Sequence, residues 1–320
     1  MAYTGTGGLI EAWDYNRLTW GGNTTSIYTS TPSNLAYVWG VGSGAVGYGQ
    51  DASAMTVVSA GGIVTASQWS TFIQRLNLVL AHQSGAAGRL ASGSNIGVVA
   101  GATITYFSNV ATSVTTVNTN SALYNSVQGT VITGANFDDA VSTAAALTAQ
   151  AYGTRTVTFA SANQARYFFN AGGQLNYVVS TPTAAGTGRN ADFVGLIGGL
   201  GGWGQRNVDA TGRTGTGQTL GVNSTTFGYR NNVLNVWTTV VSVTSTAATY
   251  TTDTAAIQVQ TTSSDTTNGA NGLNVQFRCL YTIGDKPFDD TITVTHRVRV
   301  DIVPPETTYL ANVWGTPVIT

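Results

Sequence analysis

Few residues in this chain could do chemistry, and they do not converge. Asp285, Asp289 and Asp290 crowd one turn around Lys286 and Pro287. Calcium binds clustered carboxylate and carbonyl oxygens, and a plain solvated turn has the same composition. Cys279 and His296 could form a thiolate–imidazole pair only by meeting in a cleft. Cys279 instead alternates in phase with Val275, Phe277, Tyr281 and Ile283, as a small buried hydrophobe does. His296 lies on the apolar side of a strand, in phase with Val294 and Val298, and reads as a core histidine. His82 closes a helical pattern, where an imidazolium meets the C-terminal dipole. Two stretches match G-x-G-x-x-G: Gly42, Gly44, Gly47 and Gly199, Gly201, Gly204. Neither precedes a helical pattern, and no acid follows Asp51 until Asp138, so no dinucleotide site is expected. A glycosidase needs two positioned carboxylates, and no pair of acids stands out. The expectation is a protein with no catalytic residue, no cofactor and no metal centre.

The elements that would position these residues are written in a charge-poor sequence. Only 8% of the 320 residues are charged, where a soluble domain averages about 25%. No charged residue or histidine occurs from Leu90 to Phe137, nor from Asn231 to Thr252. A freely diffusing protein coats itself with charge; here hydroxyls and amides take that role, which suits a surface covered by neighbouring subunits. A net charge of −1 gives no electrostatic reason to approach nucleic acid or an anionic membrane. One cysteine excludes an intrachain disulfide. No apolar run is long enough to span a membrane, and no secretory signal is expected at the start of the chain. The sequons at Asn23 and Asn223 read as accidents of an Asn-, Ser- and Thr-rich chain.

The spacing of Trp69, Phe72, Ile73, Leu76, Val79 and Leu80 predicts one clear amphipathic helix over 65–82, capped by Thr65 or Ser67 and ended near Gly85. A short helix is expected over 9–18, with Leu9, Trp13 and Leu18 inward. A strand is expected over 35–41, and short strands and loops in the uncharged run after Leu90. Asp138 and Asp139 suggest the capped start of a second helix over 138–150. From residue 152 the period falls to two. Segments 166–169 and 174–180 around Asn170-Ala171-Gly172-Gly173 read as a β-hairpin. Further strands are expected over 233–243, 256–260, 273–283 and 291–302. The fold class expected is mainly β: a mixed α/β N-terminal assembly region over 1–150 and an antiparallel β-sandwich over 151–320.

Residues 183–232 read as a long Gly-rich connection holding Arg189, Trp203, Arg206, Arg213, Phe227, Tyr229 and Arg230. Arg and aromatics anchor protein interfaces. Subunit contact, glycan contact and an inert surface loop all remain open for this stretch, with subunit contact favoured.

Several phrases carry a family likeness: Gly7-Gly8-Leu9-Ile10 leading to Tyr15-Asn16-Arg17-Leu18, Ile63-Val64-Thr65-Ala66-Ser67-Gln68-Trp69, Arg166-Tyr167-Phe168-Phe169-Asn170-Ala171-Gly172-Gly173-Gln174-Leu175, and Pro304-Pro305-Glu306. In these the chain resembles virion structural proteins of tailed bacteriophages, especially tail and tail-fibre-associated proteins. The resemblance implies a non-enzymatic component of a symmetric particle. Its partners would be copies of itself and other virion proteins, with a host glycan as a further partner. A head decoration or capsid protein, a receptor-binding adhesin and a glycan-degrading tail spike are the alternatives.

Overall fold

The computed structural model describes residues 12–21, 34–44, 46–85, 88–90, 107–121, 123, 128–143, 147–184, 186–207, 218–219, 229–230, 232–263, 273–284 and 291–320. The chain forms two compact units. The first comprises Met1–Val127, Asn170–Gly172 and Pro305–Trp314; the second comprises Gln128–Phe169, Gly173–Pro304 and Gly315–Thr320. The division thus falls at 127/128 rather than at 150.

Every regular element described in the first unit is a helix: α1 (Ala12–Thr19), α2 (Leu35–Trp39), α3 (Ala66–Ser84) and α4 (Phe107–Thr119). Helix α3 matches its expectation. Thr65 and Gln68 form a capping box, Gly85 follows the last turn, and all six stripe residues are buried. Three expectations give way. Within 35–41, Leu35–Trp39 is helical and not a strand, with Asn34 capping it by accepting a bond from the Tyr37 N–H at 2.8 Å. Helix α4 occupies part of the uncharged run. Its Val110, Val114 and Val117 are buried at helical spacing. Thr116 and Thr119 donate to carbonyls one turn back at 3.0 Å, which satisfies hydroxyls that otherwise favour strands. In α1, Leu18 is buried as expected, Trp13 is exposed beneath the Arg17 guanidinium with Tyr15 buried in its stead, and Leu9 lies outside the described residues.

The core of this unit is aromatic. Tyr15 packs edge-on against Phe72, which lies beside Trp69. Buried Asn16 holds Val58 by two backbone bonds, at 2.7 and 3.0 Å. Gln50 does the same for Ala311, with both bonds at 2.9 Å. His82 is fully buried at the end of α3, edge-on to Tyr48 and 3.7 Å from a Glu306 oxygen.

The second unit is an antiparallel β-sandwich, as expected. One sheet runs β1 (Phe137–Thr143), β10 (Ile292–Val303), β3 (Gln174–Ser180), β4 (Gly202–Asn207) and β5 (Gln218–Thr219), with β6 (Tyr229–Arg230) alongside β4 in parallel. The other runs β11 (Val318–Ile319), β2 (Leu147–Thr158), β9 (Asn274–Ile283), β8 (Thr254–Gln260) and β7 (Thr238–Thr244). Strands β9 and β10 bury alternate residues, so their inner faces meet. Tyr177 of one sheet stacks on Phe277 of the other with ring centroids 5.4 Å apart. His296 meets Tyr281 edge-on across the same gap.

Three sequence expectations fail here. The described residues of 138–150 are not helical: 138–143 belong to β1 and 147–150 open β2. Asp138 pairs with Arg297 across the ladder at 2.6 Å, so these acids are cross-strand partners and not caps. Residues 166–169 are not the first arm of a hairpin but the end of helix α5 (Ala162–Asn170), capped by Ser161. Residues 183–232 are not one long loop, for they include helix α6 (Gly188–Leu200) and β4. Among the described residues no helix is long and apolar enough to cross a membrane.

Candidate functional site

Helix α6 is built on Phe193, Leu196, Ile197 and Leu200, which lie at helical spacing and are buried. It packs against strands of both sheets. Gly199 lets it approach β7 closely; a Cβ there would stand 3.0 Å from Val243. Beside this contact lies a cleft of about 470 Å³ with an apolar floor, including Leu196 and Val243, and a polar rim, including Asp192 and Ser245.

Two acids meet under this cleft. Ser245 donates to one oxygen of Asp192. The Gly284 N–H donates to one oxygen of buried Asp253 at 2.7 Å. The remaining oxygen of each carboxyl is buried and receives no described donor. Burial raises the Asp192 pKa; the Ser245 bond opposes this, and the charge of Asp253 and a bond to it add to the rise. Arg189 approaches from the same helix, donating to the Gly284 carbonyl at 3.1 Å. The Arg189 charge partly offsets the rise at Asp192. Carboxyls within hydrogen-bond reach of each other are too close to straddle a glycosidic bond, which needs about 5 Å or more between them. Asp192 ties α6 to Ser245 just after β7, and Asp253 ties the turn before β8 to Gly284.

Its pH dependence has a definite sign. A carboxyl whose folded pKa is raised contributes stability at acid pH, and loses it as pH rises through the folded value. Asp192→Asn keeps the Ser245 contact and supplies a permanent donor to Asp253. It is expected to raise stability at neutral pH by up to about 1 kcal/mol, limited by solvent screening of the half-exposed side chain. Thermal melts from pH 4 to 8 would show the wild type losing stability with rising pH relative to the variant. Parallel curves would contradict a raised Asp192 pKa.

The other expected site residues are dispersed. Arg189, Trp203 and Arg206 are buried within the second unit, so they are not exposed contacts on a loop. The indole N–H of Trp203 donates to Gln205 at 2.8 Å. Tyr229 and Arg230 pair with β4 through β6, opposite Arg206 and Asn207. Arg213 and Phe227 lie outside the described residues, as do Asp285, Asp289, Asp290 and both sequons. Cys279 is buried, with its sulfur 3.5 Å from the Tyr177 hydroxyl, and burial pushes the thiol up to about 12. Burial pushes His296 down to about 4, so it is neutral at physiological pH. The second glycine motif runs from α6 into β4, a helix-to-strand order opposite to that of a dinucleotide turn.

Sequence reasoning missed the strand edge. Edge strands expose unpaired backbone groups, and proteins guard them with charge, proline or brevity. Strand β1 is guarded by Asp138 and Asp139, and β11 has two residues. Strand β7 (Thr-Thr-Val-Val-Ser-Val-Thr) has neither guard and pairs on one side only among the described residues. A register shift between Thr239 and Val241 is its one irregularity. Exposed Val233, Leu234 and Val236 lead into it. The sequence signal was present as the charge gap from Asn231 to Thr252. Comparison with family models, curated proteins and solved structures finds no match.

Proposed function

We propose that this chain is a structural subunit of a bacteriophage virion, part of its tail, baseplate or fibre apparatus. It acts by subunit–subunit assembly and catalyses no reaction. The observation that carries this reading is the unguarded edge of β7, with three exposed apolar residues at its entrance. Such an edge accepts another strand through main-chain hydrogen bonds. Its neutral hydroxyl side chains lose little on desolvation, whereas buried charges cost much unless paired. The phage setting rests on the sequence resemblance, and the low charge of the chain agrees with it.

Purified chain is expected to self-associate at micromolar concentration in sedimentation velocity. Ser242→Lys with Thr244→Lys places two charges on exposed β7 positions. It should weaken association at least roughly tenfold through like-charge repulsion, with an unchanged circular dichroism spectrum. A wild-type chain that stays monomeric at high concentration contradicts the reading. In an intact particle, three-fold copies on an axis identify a fibre, six-fold copies a tail ring, and an icosahedral lattice a head protein.

A further inference from the structure

The outer face of the β7–β8–β9 sheet carries two hydrogen-bonded rows of polar side chains. In one, Arg278 Nε donates to Gln258 Oε1 at 2.9 Å, and Gln258 Nε2 donates to Thr239 Oγ1 at 3.2 Å. In the other, Gln260 Nε2 donates to Gln276 Oε1 at 2.7 Å, and Gln276 Nε2 donates to Thr156 Oγ1 at 3.1 Å. The Arg278 guanidinium also lies over the Trp237 ring, 4.2 Å from its centroid.

Arg278 is the only charged residue in β7, β8 or β9. Among the described residues no carboxylate pairs with it, unlike Arg297 and Arg299, which face Asp138 and Asp301. Its hydrogen-bond partner among the described residues is a neutral amide, and burial lowers its pKa. A partly desolvated cation without a counter-ion is costly, and a bound anion removes that cost. Nε is used and the stem is held by Gln258 and Trp237, so the two terminal nitrogens are oriented in advance.

We propose that this face binds a carboxylated saccharide, with Arg278 taking the carboxylate through its two terminal nitrogens. The part-exposed Gln276 amide and the exposed Thr239 hydroxyl serve the sugar hydroxyls, buried Gln258 and Gln260 hold the rows in place, and Trp237 offers an aromatic surface beside Arg278. The free guanidinium nitrogens call for an anion, and the amide and hydroxyl groups around them call for hydroxyl partners. The site shares its face with exposed Ser242 and Thr244 of β7, and saccharide binding is read separately from self-association.

The test is binding of the full chain to a panel of uronic-acid and sialic-acid oligosaccharides, each paired with its methyl ester. At least one acid should bind and its ester should not, since the ester keeps every group except the charge. Arg278→Gln should weaken that binding by roughly tenfold or more, and Trp237→Ala should weaken binding of the acid by removing the aromatic surface. Absence of binding across the panel overturns the proposal, as does retention of full affinity by folded Arg278→Gln. If Arg278→Gln instead abolishes self-association, the guanidinium serves a neighbouring subunit and the saccharide site is wrong.

Discussion

Phe277→Ala is expected to destabilise the sandwich unit by about 3–5 kcal/mol, the usual cost of removing a fully buried aromatic side chain. Phe277 projects from β9 between the sheets and is completely covered. Its ring is nearly parallel to Tyr177, with an interplanar angle of 8°. The truncation removes this contact and leaves a void that Tyr177 cannot fill. The Tyr177 hydroxyl is tied to the Gly153 carbonyl at 2.7 Å, so the ring is not free to tilt. Urea denaturation followed by near-ultraviolet circular dichroism should show the sandwich transition at much lower denaturant. Phe277→Leu, which retains most of the volume, should recover more than half of the loss. A loss below about 1 kcal/mol for the alanine variant would mean that the inner faces do not pack as described.

Gly153→Ala should cost a similar amount, about 2–5 kcal/mol, from one added methyl group. Gly153 sits at the bulge in β2, between Tyr152 and Arg155. Its φ of 61° is a left-handed conformation that costs an L-residue roughly 1–2 kcal/mol. A Cβ there would stand 2.7 Å from His296 Cε1 and Val298 Cγ1, and 2.9 Å from the Tyr177 hydroxyl. Two of these atoms belong to β10 in the facing sheet, so the methyl group would push the sheets apart, an overpacking penalty of about 1–3 kcal/mol. The backbone N–H of Gly153 also donates to Asp139 at 2.7 Å, which fixes the bulge in place. Thermal unfolding of Gly153→Ala measures the sum. A melting temperature within 2 °C of wild type, roughly what a sub-kilocalorie change gives, would show that the sheets have slack there.

The sequence made some elements legible because local and tertiary preferences agreed. Helix α3 has a stripe, a capping box and a terminal glycine, and each points to the same element. Strands β9 and β10 alternate over ten and twelve residues, long enough for the period to be clear. Elsewhere one signal hid another. In α5 every residue from Ala165 to Asn170 is buried, so its helical period left no trace in the hydrophobic pattern. Helix α6 did carry the period at Phe193, Leu196, Ile197 and Leu200, but Gly195, Gly198 and Gly199 masked it, since glycine weakens isolated helices. The Ala-rich stretch after Asp139 favoured a helix locally, and pairing with β10 overrode that preference. The site was harder still to read. Asp192 and Asp253 lie far apart in sequence, and only the packing of α6 on the sheets brings them together. The guanidinium of Arg278 likewise gains its setting from residues on two neighbouring strands.

The segment Pro305–Trp314 has a consequence for biosynthesis. It belongs to the first unit, where Ala311 is clamped by Gln50 and both Leu310 and Trp314 are buried. On the ribosome, residues 1–127 emerge well before their last component exists. At typical elongation rates the nascent helices wait roughly ten to forty seconds for it. Throughout that interval part of their apolar surface stays open to water, so a chaperone has a defined window in which to hold them. The sandwich unit, by contrast, has only the short β11 still to come once residue 304 is made.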